Sequence, residues 1–183
     1  MTSLLRFEGV TLRRGARLLF EGLDFALGDS GALQVTGPNG SGKSSLIRLA
    51  AGLLPAQAGA VERSPLALAD EHLALDRELP LARALRFWGG DIDAAMEAAG
   101  IAHLAAVPVR FLSSGQAKRA ALARAVASSA PLWLLDEPLN ALDSEGIGRL
   151  AGIIERHRAS GGAVLAASHQ PLAGDWPVLE LGR

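Results

Sequence analysis

Hydrophobic and polar positions alternate with a short period at both ends of the chain and with a helical period through much of the middle. Leu4 to Leu12 and, after a turn around Gly15, Arg17 to Leu27 read as two strands. Ala32 to Thr36 is a third, short, apolar and partly β-branched, and it runs straight into a dense turn signal from Gly37 to Gly42. From Lys43 to Leu53 the period becomes helical, with Leu46, Leu49, Ala50 and Leu53 on one face; Gly52 inside it costs stability relative to alanine. Ala60 to Arg63 and Leu66 to Ala69 read as further strands. The stretch from Leu79 to Val126 is rich in Ala, Leu and Arg, and Gly89-Gly90, Gly100 and Pro108 divide it into short helices. It predicts a helical subdomain at 79–129, inserted into a core made of 1–78 and 130–183 within a single domain. Leu132 to Leu135 is again an apolar strand. A helix follows from Ser144 to Arg158, with Ile147, Leu150, Ala151 and Ile154 in i, i+3, i+4, i+7 spacing, Ser144 as N-cap and Gly161 as stop. Ala163 to Ser168 and Val178 to Leu181 complete the strands. Strands alternating with helices imply an α/β sheet with parallel strands at its centre.

Composition narrows the class. The 183 residues are 49% hydrophobic and 20% charged, which describes a globular chain with a sizeable core rather than a disordered one. A formal net charge of -1 gives no basic field for nucleic acid. The absence of cysteine excludes disulfides and thiolate metal sites and fits a reducing compartment. No basic n-region with a long apolar core opens the chain, and no apolar run approaches the ~18 residues of a membrane span. The expectation is a soluble or peripheral protein on the cytoplasmic side.

Three segments carry chemistry. Gly37-Pro38-Asn39-Gly40-Ser41-Gly42-Lys43-Ser44 fits G-x-x-x-x-G-K-[ST] in full, followed by Ser45. Glycines let the backbone curl so that successive N–H groups face an anion, and the helix starting near Lys43 adds its positive end. Lys43 would reach the β- and γ-phosphates of a nucleotide and the Ser44 hydroxyl would ligate Mg²⁺. A chance match in a chain of this length has odds of roughly 1 in 200. Leu132-Trp133-Leu134-Leu135-Asp136-Glu137 is an apolar strand ending in two carboxylates: Asp136 suits a metal shell and Glu137 can orient or deprotonate a water. Read alone, it is equally a strand with an exposed acidic turn. Leu112-Ser113-Ser114-Gly115-Gln116 opens a long helix, and two serines and a glycine there offer hydroxyls and free N–H groups to an anion, or simply a helix cap.

Taken in order, these elements resemble the ABC ATPase family. Gly37 to Ser44 matches Walker A, and Leu112 to Gln116 matches the LSGGQ signature with Ser114 in place of its first glycine. Asp136-Glu137-Pro138 matches Walker B, Asn140-Ala141-Leu142-Asp143 the D-loop, and His169 the switch histidine. The resemblance covers nearly the whole chain. It implies a P-loop NTPase fold of the ABC nucleotide-binding type: a mixed sheet core, N-terminal antiparallel strands and an inserted helical subdomain. It implies ATP bound by Gly37 to Ser45, with Mg²⁺ on Ser44 and Asp136. Hydrolysis would use Glu137 as base, with His169 and Lys43 stabilising charge. It further implies a second ATPase subunit, as a homodimer, whose Ser113 to Gln116 closes over the partner's ATP, and separate integral membrane subunits.

Two departures stand out. The family usually has a glutamine after the strand that leads into the helical subdomain; here Glu71 or His72 falls nearest. A carboxylate there could touch Mg²⁺ or water, and equally both residues could lie in a solvated loop. The family also tends to stack adenine on an aromatic near the first strand; here there is no tyrosine, and Arg13 or Arg14 falls near that place as a stacking guanidinium or an exposed charge.

A finer resemblance rests on Ala84-Leu85-Arg86-Phe87-Trp88, Pro131-Leu132-Trp133 and His169-Gln170-Pro171-Leu172. Together they look like the ATPase subunits of the haem-exporter, cytochrome c maturation complexes. The implied setting is the cytoplasmic face of a bacterial inner membrane, and the implied task is to power haem delivery through release of a haem-loaded chaperone. No direct haem contact is implied, and Trp88, Trp133 and Trp176 read as packing residues. Alternatives are the ATPase subunit of another importer or exporter, a soluble ABC protein acting on DNA or ribosomes, and a non-hydrolysing nucleotide sensor. Lys43 to Ser113 leaves no room for a DNA-repair coiled coil, and Glu137 and His169 argue against the sensor.

Overall fold

The computed structural model describes residues 3–182. Two sheets form its frame. Strands β1 (Ser3–Arg14) and β2 (Arg17–Gly28) are an antiparallel hairpin, and β4 (Ala58–Arg63) adds antiparallel to the other edge of β1, in the order β2-β1-β4. The apolar alternation of β1 changes phase between Phe7 and Val10, where the register shifts. Gly9, at φ +57, takes up the extra residue there as a bulge, and its N–H donates to Asp24 Oδ1 at 2.7 Å. Leu5, Phe7, Val10 and Leu12 therefore all face the core.

The second sheet is wholly parallel. It contains β3 (Ala32–Thr36), β5 (Leu66–Ala69), β6 (Leu132–Asp136), β7 (Ala163–Ala167) and β8 (Val178–Glu180), in the order β5-β6-β7-β3-β8. Both of its faces are covered, which is why β6 and β7 read as unbroken apolar runs. On one face Val35, Leu132, Leu134 and Leu165 pack with helix α1 (Lys43–Ala50) and the antiparallel sheet. On the other face Ala69, Trp133, Leu135, Val164 and Ala166 pack against α4 (Ser114–Ala127) and α5 (Ser144–Ala159). Between β5 and β6, α2 (Leu81–Leu85), α3 (Ile92–Ala98) and short 3-10 turns gather around a separate apolar cluster. Helix α4 serves both layers: Ala121, Leu122 and Ala125 meet the sheet, and Ala120, Ala123 and Ala127 meet the helices.

The predicted elements are all present, with three corrections. Helix α1 ends at Ala50 rather than Leu53. Gly52, at φ +76, donates to Leu49 O and Leu53 donates to Arg48 O, which is a Schellman stop, and Leu53 is left exposed. The N-cap of α5 is Asp143, not Ser144, because the Asp143 carboxylate accepts the Gly146 N–H at 2.8 Å. The buried stripe of α5 is Leu150, Ile153 and Ile154; Ile147 is exposed and Ala151 only half-buried, so the helix is rotated relative to the predicted face.

The tryptophans are packing residues. Trp176 is buried, and Trp88 lies under the Arg124 guanidinium at 4.6 Å. Trp133 stacks flat on His157, with ring centroids 3.8 Å apart at 9°. Gly162 makes the room: a Cβ there would lie 2.2 Å from the imidazole. Burial lowers the His157 pKa below its usual value, against the opposing influence of the Ala163 and Pro131 backbone. Between that depressed value and the unfolded value of about 6.5, only the unfolded chain takes up the proton. Stability from this site is thus fully present above pH about 6.5 and is lost as the pH falls through the folded pKa. Thermal melts from pH about 8 to about 5 should show a fall in Tm on the acid side that His157→Gln makes shallower; an identical profile in the variant would contradict this.

Candidate functional site

The loop 37–42 joins β3 to α1 across the carboxyl edge of the parallel sheet. Its course requires glycine at two places. Gly37 has φ +142 and a Cβ there would sit against Leu181 O; Gly42 has φ +107 and a Cβ there would lie 3.2 Å from the Leu19 side chain. The first bond of α1 runs from Leu46 N–H to Gly42 O at 2.8 Å. Gly42 offers no side-chain cap and the first turn holds no acid. The N–H groups of Lys43, Ser44 and Ser45 thus open the helix without intrahelical acceptors, at its positive end. The Lys43 ammonium folds back onto Gly37 O at 2.8 Å and Pro38 O at 3.2 Å, ready to exchange these carbonyls for an anion.

Adjacent strand ends bring in the acids. Ser44 Oγ donates to Asp136 Oδ1 at 3.1 Å. Burial raises the pKa of Asp136, and the Ser44 hydroxyl bond opposes that rise. A half-buried carboxylate and a hydroxyl form an all-oxygen pair suited to a hard divalent cation such as Mg²⁺. Glu137 follows with φ +46, and its N–H donates to Ala167 O at 2.8 Å. Its Oε2 lies 2.8 Å from His169 Nδ1. His169 is held by the segment around it: Ser168 N–H donates to Val35 O, and the buried Gln34 donates to Gln170 O at 2.8 Å and accepts from Leu172 N–H.

The loop, Glu137 and His169 share one cleft of about 670 Å³, lined by Asn39, Gly40, Gly42 to Ser45, Glu137, Asn140 and His169, together with Arg14, Arg17 and Leu19; Asp136 is outside its lining and meets it through the Ser44 hydroxyl. Of the other expected residues, Gly37, Pro38 and Ser41 shape the loop without lining the cleft. Pro38 has no N–H, and Ser41 is buried with its hydroxyl unpartnered among the described residues. Arg14 rather than Arg13 reaches the rim. Arg17, its partner across the hairpin turn, joins it there, a pairing the two predicted strands imply once the turn length is known.

The segment 113–116 lies elsewhere. It borders a second cleft of about 440 Å³ with Gly100, His103, Arg119, Ala141 and Asp143. Ser113 Oγ accepts the Gln116 N–H at 3.3 Å and Gln116 Oε1 accepts the Ser113 N–H at 2.9 Å, a reciprocal capping box. The Ser113 hydroxyl is therefore engaged as a cap. Ser114 is exposed, and Gly115 passes so close to Ala141 O that a Cβ would lie 2.7 Å from it. Glu71 is exposed and paired with Arg48 at 3.0 Å, and His72 is exposed beside Asp70. Neither lines the Lys43 cleft; Glu71 borders a neighbouring one with Asp70, Ser114, Lys118 and Glu137. Asp70 and Lys118 carry no sequence signal of their own and emerge only from this packing.

The family model for ABC transporters matches residues 20–140. The chain is 55% identical over 181 residues to the cytochrome c biogenesis ATP-binding export protein CcmA of Sphingopyxis alaskensis, covering 94% of this chain and 93% of that one. It is likewise 55% identical over 167 residues to the protein of that name from Novosphingobium aromaticivorans, covering 90% and 87%. Among solved structures, an inward-facing metal-chelate type ABC transporter superposes with a TM-score of 0.83 at 25% identity, covering 99% of this chain and 80% of that one. An ABC transporter ATP-binding protein from Pyrococcus furiosus has the same fold, with a TM-score of 0.84 at 18% identity over 97% and 96% of the chains. With its loop, Glu137 and His169 in one cleft, Asp136 bonded to Ser44 beside it and close relatives along its length, the chain belongs to the ABC transporter family as an ATP-binding subunit.

Proposed function

We propose that the chain hydrolyses ATP in the Lys43 cleft as the ATPase subunit of a membrane complex that delivers haem for c-type cytochrome maturation. The observation that carries the hydrolytic reading is the convergence of two contacts on the mouth of the loop: Ser44 with Asp136, and Glu137 with His169. The loop N–H groups and Lys43 hold the β- and γ-phosphates. Ser44 and Asp136 are the residues that would hold Mg²⁺, whose charge offsets that of the phosphates. Glu137, oriented by His169, accepts a proton from the water that attacks the γ-phosphorus, while the bond to the β-phosphate oxygen breaks to give ADP and phosphate. Lys43 and His169 stabilise the charge on the transferred group.

Ser114, exposed, and Gly115, half-buried, border a cleft separate from the one that holds Lys43 of their own chain. That separation supports a homodimer in which each signature completes the partner's site across a two-fold axis. No helix of the described residues is long and apolar enough to cross a membrane, and in this reading separate integral membrane subunits supply the path. Phe87 and Phe111, exposed on the helical layer, offer apolar contact to them. The names of the relatives support the haem assignment, and with it goes a setting at the cytoplasmic face of a bacterial inner membrane.

Glu137→Gln should retain ATP binding, lower turnover at least ~100-fold and trap a dimer with Mg-ATP; normal turnover would remove Glu137 from the chemistry. Lys43→Ala should weaken ATP binding at least ~10-fold by calorimetry, the scale of a lost charge-assisted contact, and unchanged affinity would contradict the loop assignment. Purification of the tagged chain from native membranes should recover small membrane subunits with a haem-handling chaperone. Recovery of a different permease would transfer the function to that transporter.

A further inference from the structure

Lys118 lies on the second turn of α4, four residues after Ser114, and is half-buried. Its ammonium donates at 2.9 Å to the backbone oxygen of Asp136. That oxygen belongs to the peptide unit joining Asp136 to Glu137. The N–H of the same unit donates to Ala167 O at 2.8 Å. One peptide is thus pinned at both ends, by the helix that begins at the signature and by the strand that leads to His169.

The residue after this peptide needs such restraint. Glu137 has φ +46, a left-handed conformation that strains a non-glycine residue. That backbone turn is what brings the Glu137 carboxylate off the line of β6 and onto His169. If the peptide flipped, its carbonyl and N–H would lose both partners and the carboxylate would change direction. The ammonium also lies among the carboxylates of Asp136, Asp70, Glu137 and Glu71, with which it interacts favourably against the cost of its burial. A small cleft of about 260 Å³ connects Asp70, Glu71, Ser114, Lys118 and Glu137. It lies on the side of Glu71, one of the two residues nearest the place of the usual glutamine, and Lys118 reaches the end of β6 there.

We infer that Lys118 is a positioning residue for Glu137, holding the Asp136–Glu137 peptide in the orientation that aims the carboxylate into the Lys43 cleft. Because Lys118 rides on the helix that opens at Ser114, it also ties the aim of Glu137 to the seating of that helix. The inference rests on Glu137 being the base, and the test separates the two.

The test compares Lys118→Met, Lys118→Gln and Lys118→Arg in the complex purified from native membranes. Lys118→Met keeps the length and loses the donor; Lys118→Arg keeps a cationic donor; Lys118→Gln is a milder change should the Met variant fail to fold. A misdirected base should lower kcat about 10–100-fold with KM within about two-fold, and Lys118→Arg should recover part of the loss. ATP affinity by calorimetry should be unchanged. The deciding readout is a double-mutant cycle under single-turnover conditions: Lys118→Met added to Glu137→Gln should cost nothing further, since the residue acts through the missing carboxylate. Additive losses, a raised KM with unchanged kcat, or normal turnover in both Lys118→Met and Lys118→Gln would overturn the inference. Normal turnover in Glu137→Gln alone would instead remove the reading on which it rests.

Discussion

The site depends on the register of three parallel strands. Asp136 pairs with Ala167 across β6 and β7, and Val35 pairs with Ala167 across β3 and β7. The three strand ends therefore lie side by side, and whatever follows them must meet: the loop from Gly37, the Asp136–Glu137 peptide and the Ser168–His169 segment. That register is fixed by apolar contacts on both faces. Leu134 and Leu165 point to the side of α1, and Trp133, Leu135 and Val164 to the side of α4 and α5. A slip of one residue would exchange the two faces and bring large side chains against the wrong layer. Each fully buried large side chain contributes about 1.5–3 kcal/mol, so the position of the acids is secured by many contacts that never touch them.

Helix α4 extends this logic beyond the sheet. Its N-terminus is the signature segment, its second turn reaches the Asp136 carbonyl through Lys118, and Arg124 farther along donates to Leu68 O at the end of β5. Its alanines let it approach both the sheet and the helical layer closely. One helix is thus in contact with the exposed signature, the catalytic strand and the helices that bear Phe87.

Much of this was legible in the sequence because the chemistry is local. The loop, the acidic strand end and the signature each occupy consecutive residues, and the apolar runs of β3 and β5 mark their own limits. What the sequence concealed depends on contacts between distant segments. The stop of α1 turns on Gly52 adopting a left-handed conformation, which the apolar spacing through Leu53 disguises. The face of α5 is set by the surface it packs on, so Ile153 is buried and Ile147 is not. Arg14, Arg17 and Leu19 reach the cleft only because the hairpin folds over Gly42. Lys118 and Asp70 look like ordinary charges on a helix and in a loop until the two are packed beside Glu137.

In the proposed homodimer each catalytic site is completed by two chains, with Ser114 of one over the loop of the other. Because the chain has no cysteine, introduced thiols report on this directly. The measurement is oxidative cross-linking of the Asn39→Cys/Ser114→Cys variant in the Glu137→Gln background, within the complex from native membranes, with and without Mg-ATP. Asn39 and Ser114 border different clefts of one chain, so a disulfide between chains requires the closed pair. The account predicts a covalent dimer that forms with Mg-ATP and not without it. A product that stays monomeric at saturating Mg-ATP would contradict it.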